Sequence, residues 1–173
     1  MHFVRLSPTD KGTHFDPRPY LAALPALAEH LPEGARQFAT DPDHYDFYSE
    51  RCVKDLKLMG LSYLDRRFSL SVEAKFWFNE HREVDELAIH YRAVRSVVIE
   101  TKDEKPIGPT RLGDLMLDEI LPYDLGVSHE LAADNAGVSH ELVFHGGTLK
   151  IICGDLDAVW HPGGTLTSST IDG

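Results

Sequence analysis

At 173 residues the chain has the length of one ordinary domain, and its 42% of hydrophobic residues can bury a core. Its net charge of −11, from 28 acidic and 17 basic residues, argues against a phosphate-backbone binder, which needs a basic stripe. No apolar run approaches the roughly 20 residues that span a bilayer, and the N-terminus lacks a signal-peptide pattern. We therefore expect a cytoplasmic protein whose acidic surface serves solubility or attracts a basic partner.

Residues 1–50 are predicted to form a helical segment and a connector. Residues 1–15 show no period, whereas Asp16 can cap a helix and Pro17 suits its first turn. Pro25 is expected to kink this helix or to split it, and "GARQFAT" can add one more turn before Asp41. The apolar residues at helical spacing are Tyr20, Leu21, Leu24, Leu27, Ala28 and Leu31.

Residues 51–161 are predicted to form an antiparallel β-sheet. In "RFSLSVEAKFWF" six apolar residues alternate with other residues, which is typical of a half-buried strand. The preceding "DLKLMGLSYL" is expected to pair with it across an Asp65-Arg66 turn, with Tyr63 facing Phe68 and a bulge at Gly60.

Residues 85–99 fit two patterns. The period indicates a strand broken only at Arg95, or equally a helix. The β-branched cluster Val94, Val97, Val98 and Ile99 favours one long strand. Further along, "RLGDLMLDEILP" fits a short strand or one helical turn.

The hairpin "SHELVFHGGTLKIIC" is the best-determined local structure of the sequence. A two-residue Gly146-Gly147 turn places Phe144 opposite Leu149 and His140 opposite Cys153, all on the core face. "DAVWH" is expected to add a strand, and residues 162–173 a tail. The sum is an α+β fold: a meander-like antiparallel sheet of about six strands with one or two N-terminal helices packed on it, in one compact domain.

No phosphate-binding loop, nucleophile elbow or paired-cysteine metal motif occurs in the sequence, so we expect a non-catalytic protein. The sharpest candidate metal ligands are His140 and Cys153, which make half a site for zinc or another divalent ion. His90 or Cys52 would have to complete the site. The alternative is a core histidine hydrogen-bonded to backbone or to a carboxylate. Cys52 and Cys153 are expected to be reduced, partly buried thiols.

Two further groups are candidates for contact with a partner or ligand. The acids Asp118, Glu119, Asp124, Asp155 and Asp157 can form a binding surface, or they can be solvated loop acids that discourage edge pairing. The stretch "ATDPDHYDFYSERC" can be a ligand-contacting loop, or a connector in which Tyr45, Phe47 and Tyr48 anchor on the core. We expect the second arrangement, the connector anchored on the core.

The hexapeptide "GVSHEL" occurs twice, eleven residues apart, beginning at Gly126 and Gly137. The second copy lies on the predicted hairpin. The first is followed by residues 132–137, which suit a loop or one helical turn. We interpret the repeat as a tandem duplication whose first copy is extruded between two strands.

The stretch "HELVFHGGTLKIICGDLDAVW" resembles the closing hairpin of small bacterial α+β immunity proteins of polymorphic toxin systems. The resemblance covers the last third of the chain. It implies a binder that masks a toxin, with no catalytic residues to carry over. The sequence thus predicts an acidic protein-binding domain, with an immunity-like inhibitor of a basic partner as its sharpest version. A metal-binding protein or metal-dependent enzyme using His140, Cys153 and nearby acids is the alternative, and a homodimer through sheet edges is a further one.

Overall fold

A computed structural model describes residues 1–10, 12–66, 69–77, 86–102, 112–126 and 136–162. These ranges contain two helices and ten strands. The helices are α1 (Arg18–Ala28) and α2 (Glu33–Ala39). The strands are β1 (Arg5–Thr9), β2 (Gly12–Asp16), β3 (Lys57–Arg66), β4 (Ser69–Trp77), β5 (Glu86–Arg92), β6 (Ser96–Thr101), β7 (Leu115–Asp124), β8 (Ala136–Phe144), β9 (Gly147–Cys153) and β10 (Asp155–His161). Neither helix has the length and apolar character needed to cross a membrane.

The strands form one hairpin and two larger antiparallel sheets. β1 pairs with β2, where the sequence predicted irregular structure. Sheet I has the order β10-β5-β4-β3, and sheet II has the order β6-β9-β8-β7. The predicted α+β class is confirmed, whereas the prediction of a single six-stranded meander is wrong. The predicted division of the chain at residues 50 and 161 stays a prediction.

The two sheets arise because one pair of strands bends and crosses from sheet I to sheet II. β5 and β6 are joined by three residues, and β10 and β9 by Gly154 alone. At the bend Ala93 has a φ of 50°, in the left-handed region, and the amide of Gly154 donates to the carbonyl of Arg92 at 2.9 Å. The expected long strand over residues 85–99 is therefore two strands in different sheets.

The sheets also meet at their other ends. The amide of Leu115 donates to the carbonyl of Leu56 at 2.7 Å, and the amide of Asp55 donates to the carbonyl of Leu115 at 2.8 Å. Lys57 forms an isolated bridge with Asp114 just beyond. Strand pairing thus continues from β3 to β7 as well, and both sheets enclose one apolar core.

The helices cover two edges of the sheets. α1 buries Tyr20, Leu24 and Ala28, which recur every four residues, and α2 packs on β10. Pro25 lies inside α1, which continues to Ala28, so the predicted split of this helix is wrong. The Asp16 carboxylate accepts the amide of Arg18 at 3.1 Å, close to the capping position that the sequence predicted.

The β8–β9 hairpin has its predicted faces but a different register. Phe144 pairs with Gly147, so the turn is His145-Gly146 and the predicted Gly146-Gly147 turn is wrong. Gly147 belongs to the strand, where a Cβ would lie 2.1 Å from the carbonyl oxygen of Glu100. Because the register differs by two residues, every side chain keeps its face.

The β3–β4 hairpin also differs in register. Tyr63 pairs with Val72, not with Phe68, which lies outside the described residues. The predicted bulge is confirmed, since the register shifts between Leu58 and Gly60. The predicted tail after Pro162 and the first "GVSHEL" copy after Gly126 also lie outside the described residues.

Candidate functional site

The connector between α2 and β3 is an ordered loop built from consecutive turns. The amide of His44 donates to the carbonyl of Asp41 at 3.1 Å, and that of Ser49 donates to the carbonyl of Asp46 at 2.9 Å. The Asp46 side chain accepts the amide of Tyr48 at 3.0 Å, an arrangement that fixes the backbone locally. Residues 41–51 contain four acids and one base, and we call them the acidic loop.

His44 ties the acidic loop to the core. Its side chain is buried, with Nδ1 3.0 Å from the carbonyl oxygen of Phe38 and Nε2 2.8 and 3.0 Å from the two carboxylate oxygens of Asp118. The ring packs between Phe38 and Tyr45, at centroid distances of 4.3 and 4.4 Å. Tyr45 adds a hydrogen bond from its hydroxyl to the Asp118 carbonyl at 2.8 Å. The loop is therefore held at its base by both side chain and backbone of β7.

Asp118 extends the network into both sheets. Its Oδ2 lies 2.9 Å from Nε2 of His140 on β8, and Nδ1 of His140 lies 2.9 Å from the hydroxyl of Tyr91 on β5. The four side chains His44, Asp118, His140 and Tyr91 are each at most 1% exposed. We call them the buried network. It joins the acidic loop, sheet II and sheet I through five hydrogen-bond contacts in the core.

The histidines of the buried network keep Asp118 ionised. Burial alone would raise the pKa of Asp118, but the charge of His44 and hydrogen bonds from both histidines outweigh it and hold that pKa well below its usual range. Asp118 is therefore a carboxylate. His44 faces an acceptor at each ring nitrogen, the Phe38 carbonyl at Nδ1 and the Asp118 carboxylate at Nε2. Burial raises the pKa of Tyr91, so its hydroxyl stays neutral beside Nδ1 of His140, while Nε2 of His140 donates to the Asp118 carboxylate.

At the opposite side of the acidic loop, aromatic side chains reach solvent. Tyr48 is 97% exposed and Phe47 is partly exposed, among the carboxylates of Asp46 and Glu50, which are exposed as well. The predicted anchoring is confirmed for Tyr45 and wrong for Tyr48, and the ligand-contacting role of this stretch stays a prediction. The arrangement presents an aromatic side chain within acidic surroundings on a fixed backbone.

Comparison with known proteins identifies no relative. No protein-family model, curated protein or solved structure matches the chain.

The two predicted metal ligands, His140 and Cys153, are not opposite each other in the observed hairpin register. His140 pairs with Ile151, and Cys153 pairs with Val138, so the predicted pairing of His140 with Cys153 is wrong. Both ring nitrogens of His140 already have partners, as the core-histidine alternative expected. Burial raises the pKa of Cys153 to about 12, which keeps it a thiol. Within the described ranges no three potential ligands are grouped for a metal ion. Neither cysteine forms a disulfide bond in the structure, and both are more completely buried than the sequence predicted.

The five acids predicted as a partner surface do not share one exposed face. Asp118 belongs to the buried network, and Glu119 is also buried, where it accepts the amides of His2, Phe3 and Val4, the last at 3.2 Å. Asp124 is exposed at the end of β7. Whether any of them contacts a partner stays a prediction.

Asp155 and Asp157 serve the packing of α2 and β5. Asp155 accepts the amides of Gly34 and Ala35, at 3.3 and 2.9 Å, and an Arg92 guanidinium nitrogen at 2.8 Å. A carboxylate at the start of a helix satisfies amides that have no partner within the helix. Asp157 pairs with the same guanidinium. These two acids thus have structural roles in the chain.

His44 is the main residue that sequence reasoning missed. The density of Asp, His and Tyr around it marked the stretch as unusual. Its partner Asp118 lies 74 positions away, on a strand that itself could not be distinguished from a helical turn. No local spacing links the two residues.

Proposed function

We propose that the chain is a small, non-catalytic, acidic protein-binding domain, and that the acidic loop belongs to the surface that contacts a basic partner. The observation that carries this proposal is Tyr48, which is almost fully exposed on a loop that the buried network holds in place. Functional residues occur disproportionately on loops that a rigid scaffold positions. Exposed aromatic residues are also the side chains that most often dominate binding energy at interfaces.

The charge of the chain supports a basic partner. Each molecule carries −11, and the acidic loop alone holds four acids against one base. Such a surface speeds the approach of a positively charged protein and repels acidic ones. Because the loop backbone is already ordered, little conformational entropy is lost when the partner binds.

The resemblance of the last third to immunity proteins extends the proposal to inhibition of a basic toxin. That extension rests on "HELVFHGGTLKIICGDLDAVW" and on the charge of the chain, and it assigns no residue a catalytic role. The buried network supports a binding function, since its groups are out of reach of a substrate and act on the loop's position.

The test uses the full chain as bait in lysate from its native host. Wild type, Tyr48→Ala and the matched control Tyr123→Ala are immobilised at low salt; Tyr123 is another exposed tyrosine, at the end of β7. We expect wild type and the control to retain a basic protein, and we expect salt to release that protein from both. Purified, it should bind Tyr48→Ala with an affinity lower by about 2 kcal/mol, the cost of losing an interface hot spot.

Two outcomes would contradict the proposal. One is that no partner is retained on wild type under any salt condition. The other is that the retained partner binds Tyr48→Ala as tightly as it binds wild type. Circular dichroism on the Tyr48→Ala variant checks that it is folded, which its exposure leads us to expect.

A further inference from the structure

β6 is an edge strand with an apolar sequence. β9 is the strand that pairs with β6 in the described part of the chain, so the other side of β6 has no strand beside it there. Its middle residues Val98 and Ile99 are 44% and 41% exposed, and the next residue is its one charged residue, Glu100. Val97 and Ile99 lie on the core face of sheet II, opposite Ile151 and Leu149.

The far edge of sheet II is blocked along β7. The hydroxyl of Tyr20 donates to the carbonyl of Ile120 at 2.8 Å and accepts its amide at 3.2 Å. The hydroxyl of Tyr45 occupies the carbonyl of Asp118. Pro122 offers no amide to a further strand. Another strand therefore cannot pair along β7.

The edges of sheet I are protected as well. α2 lies so close to β10 that a Cβ on Gly34 would be 2.1 Å from the carbonyl oxygen of Leu156. The other edge strand, β3, carries a bulge beside Gly60 and charged residues at both ends, Lys57 and Arg66. Bulges, charges and covering helices are the devices by which proteins prevent edge-to-edge pairing. In the described part of the chain β6 has no bulge, proline or covering helix, and Glu100 is its one charge.

We propose that the β6 edge, Val97–Glu100, pairs with the β6 edge of a second copy of this chain. An open edge requires an extended backbone as its partner, and this strand offers apolar side chains with one carboxylate. A two-fold axis at Val98 sets Val98 opposite its own copy and Val97 opposite Ile99, so that apolar residues meet. In the same register Glu100 lies opposite Ser96, and the two Glu100 side chains are roughly 13 Å apart along the strands.

The apolar composition of this edge favours a second copy over the basic partner. The basic partner is attracted to the acidic loop, whereas the β6 edge offers it one carboxylate. Two copies of −11 repel each other, and salt screens that repulsion. Salt should therefore strengthen the dimer while it weakens binding of the basic partner, so the two proposals can fail independently.

The experiment measures self-association of the full chain by sedimentation velocity over a range of protein and salt concentrations. We expect a monomer–dimer equilibrium that shifts to dimer as salt rises. Val98→Lys places like charges directly opposite each other and should raise the dimer dissociation constant by about tenfold or more. The matched control Val159→Lys changes a valine of β10 that is 41% exposed and should dimerise as wild type does.

Two further measurements make the test specific to β6. A mixture of Val98→Lys and Val98→Glu should form heterodimers more readily than either variant forms homodimers, because opposite charges then face each other. In wild type, hydrogen exchange at the amides of Val97–Glu100 should slow as protein concentration rises. This measurement needs no variant to fold.

The proposal would be overturned if wild type remained monomeric at all protein and salt concentrations. It would also be overturned if Val98→Lys dimerised as tightly as wild type, or if exchange at Val97–Glu100 did not depend on protein concentration.

Discussion

Asp118 joins three parts of the fold that are distant in sequence. Its partners His44 and His140 lie 74 and 22 positions away, on the acidic loop and on β8. The sequence singled out both residues, but it predicted Asp118 as part of an acidic binding surface and His140 as a candidate metal ligand. A buried charged residue requires partners that satisfy it, and those partners come from tertiary pairing that local periodicity does not contain.

Replacing Asp118 by Asn should destabilise the protein strongly. The substitution removes the negative charge beside the His44 ring and turns one acceptor oxygen into a donor that faces N–H groups. Breaking a buried ion pair by removing one partner costs about 3–5 kcal/mol. Urea unfolding at neutral pH measures this loss.

Asp124→Asn is the matched control for that change. Asp124 is an exposed acid on the same strand, so its replacement should change the free energy of unfolding by no more than about 0.5 kcal/mol. Equal stability of wild type and Asp118→Asn would show that the buried network does not hold the fold together.

The depressed pKa of Asp118 predicts an acid-sensitive fold. A carboxyl group with a lower pKa in the folded state stabilises the protein above its unfolded pKa, about 3.9, and that stability is lost as pH falls below it. The loss from this group approaches about 1.4 kcal/mol per pH unit below that value. Urea unfolding between neutral pH and pH 3 should therefore show a steeper decline for wild type than for Asp118→Asn. Parallel curves would contradict the assigned charge state.

At the scale of elements, the sequence predicts strands better than their pairing. Alternation identified β4, β8 and β9, and it placed His140 and Leu142 toward the core. The register of β8 with β9 was wrong by two residues, because an even shift leaves every face unchanged. The choice of turn depended on close packing of Gly147 against β6, a contact that the hairpin sequence does not contain.

The bend that creates two sheets could not be predicted from the sequence either. Residues 85–99 were predicted as one long strand, and the break falls at Ala93, a residue that ordinarily avoids the left-handed region. Pairing with β9 and β10 imposes that conformation, through the bonds from Arg95 to Ile152 and from Gly154 to Arg92.

Deleting residues 127–137 should leave a folded protein. This removes one copy of the eleven-residue repeat and joins Gly126 to Val138, so that Gly126 takes the place of Gly137 opposite Tyr123. Asp124 and Leu125 then form a two-residue turn between β7 and β8, the commonest hairpin length. Thermal unfolding followed by circular dichroism should remain one cooperative transition. Loss of cooperativity would show that the first copy is structural.

For the whole molecule, the same charge has opposite effects on folding and on binding. A net charge of −11 favours a basic partner, but it also places like charges close together in the compact state. The exposed ion pairs, such as Arg92 with Asp155, are weakened by salt but are worth at most about 1 kcal/mol each. The buried network is largely protected from screening by its burial.

Sodium chloride should therefore raise the free energy of unfolding of the monomer at neutral pH. Repulsion among surface acids is screened at physiological salt over about 8 Å, whereas the buried Asp118–His44 pair keeps its strength. Urea unfolding at low and moderate salt, at a protein concentration where the chain is monomeric, measures the change. The double variant Asp46→Asn, Glu50→Gln carries two fewer charges on exposed residues, so its stability should depend less on salt. A free energy of unfolding that falls with salt in wild type would mean that favourable surface ion pairs outweigh the repulsion. Potassium chloride screens equally, so it checks that the effect is not specific to sodium.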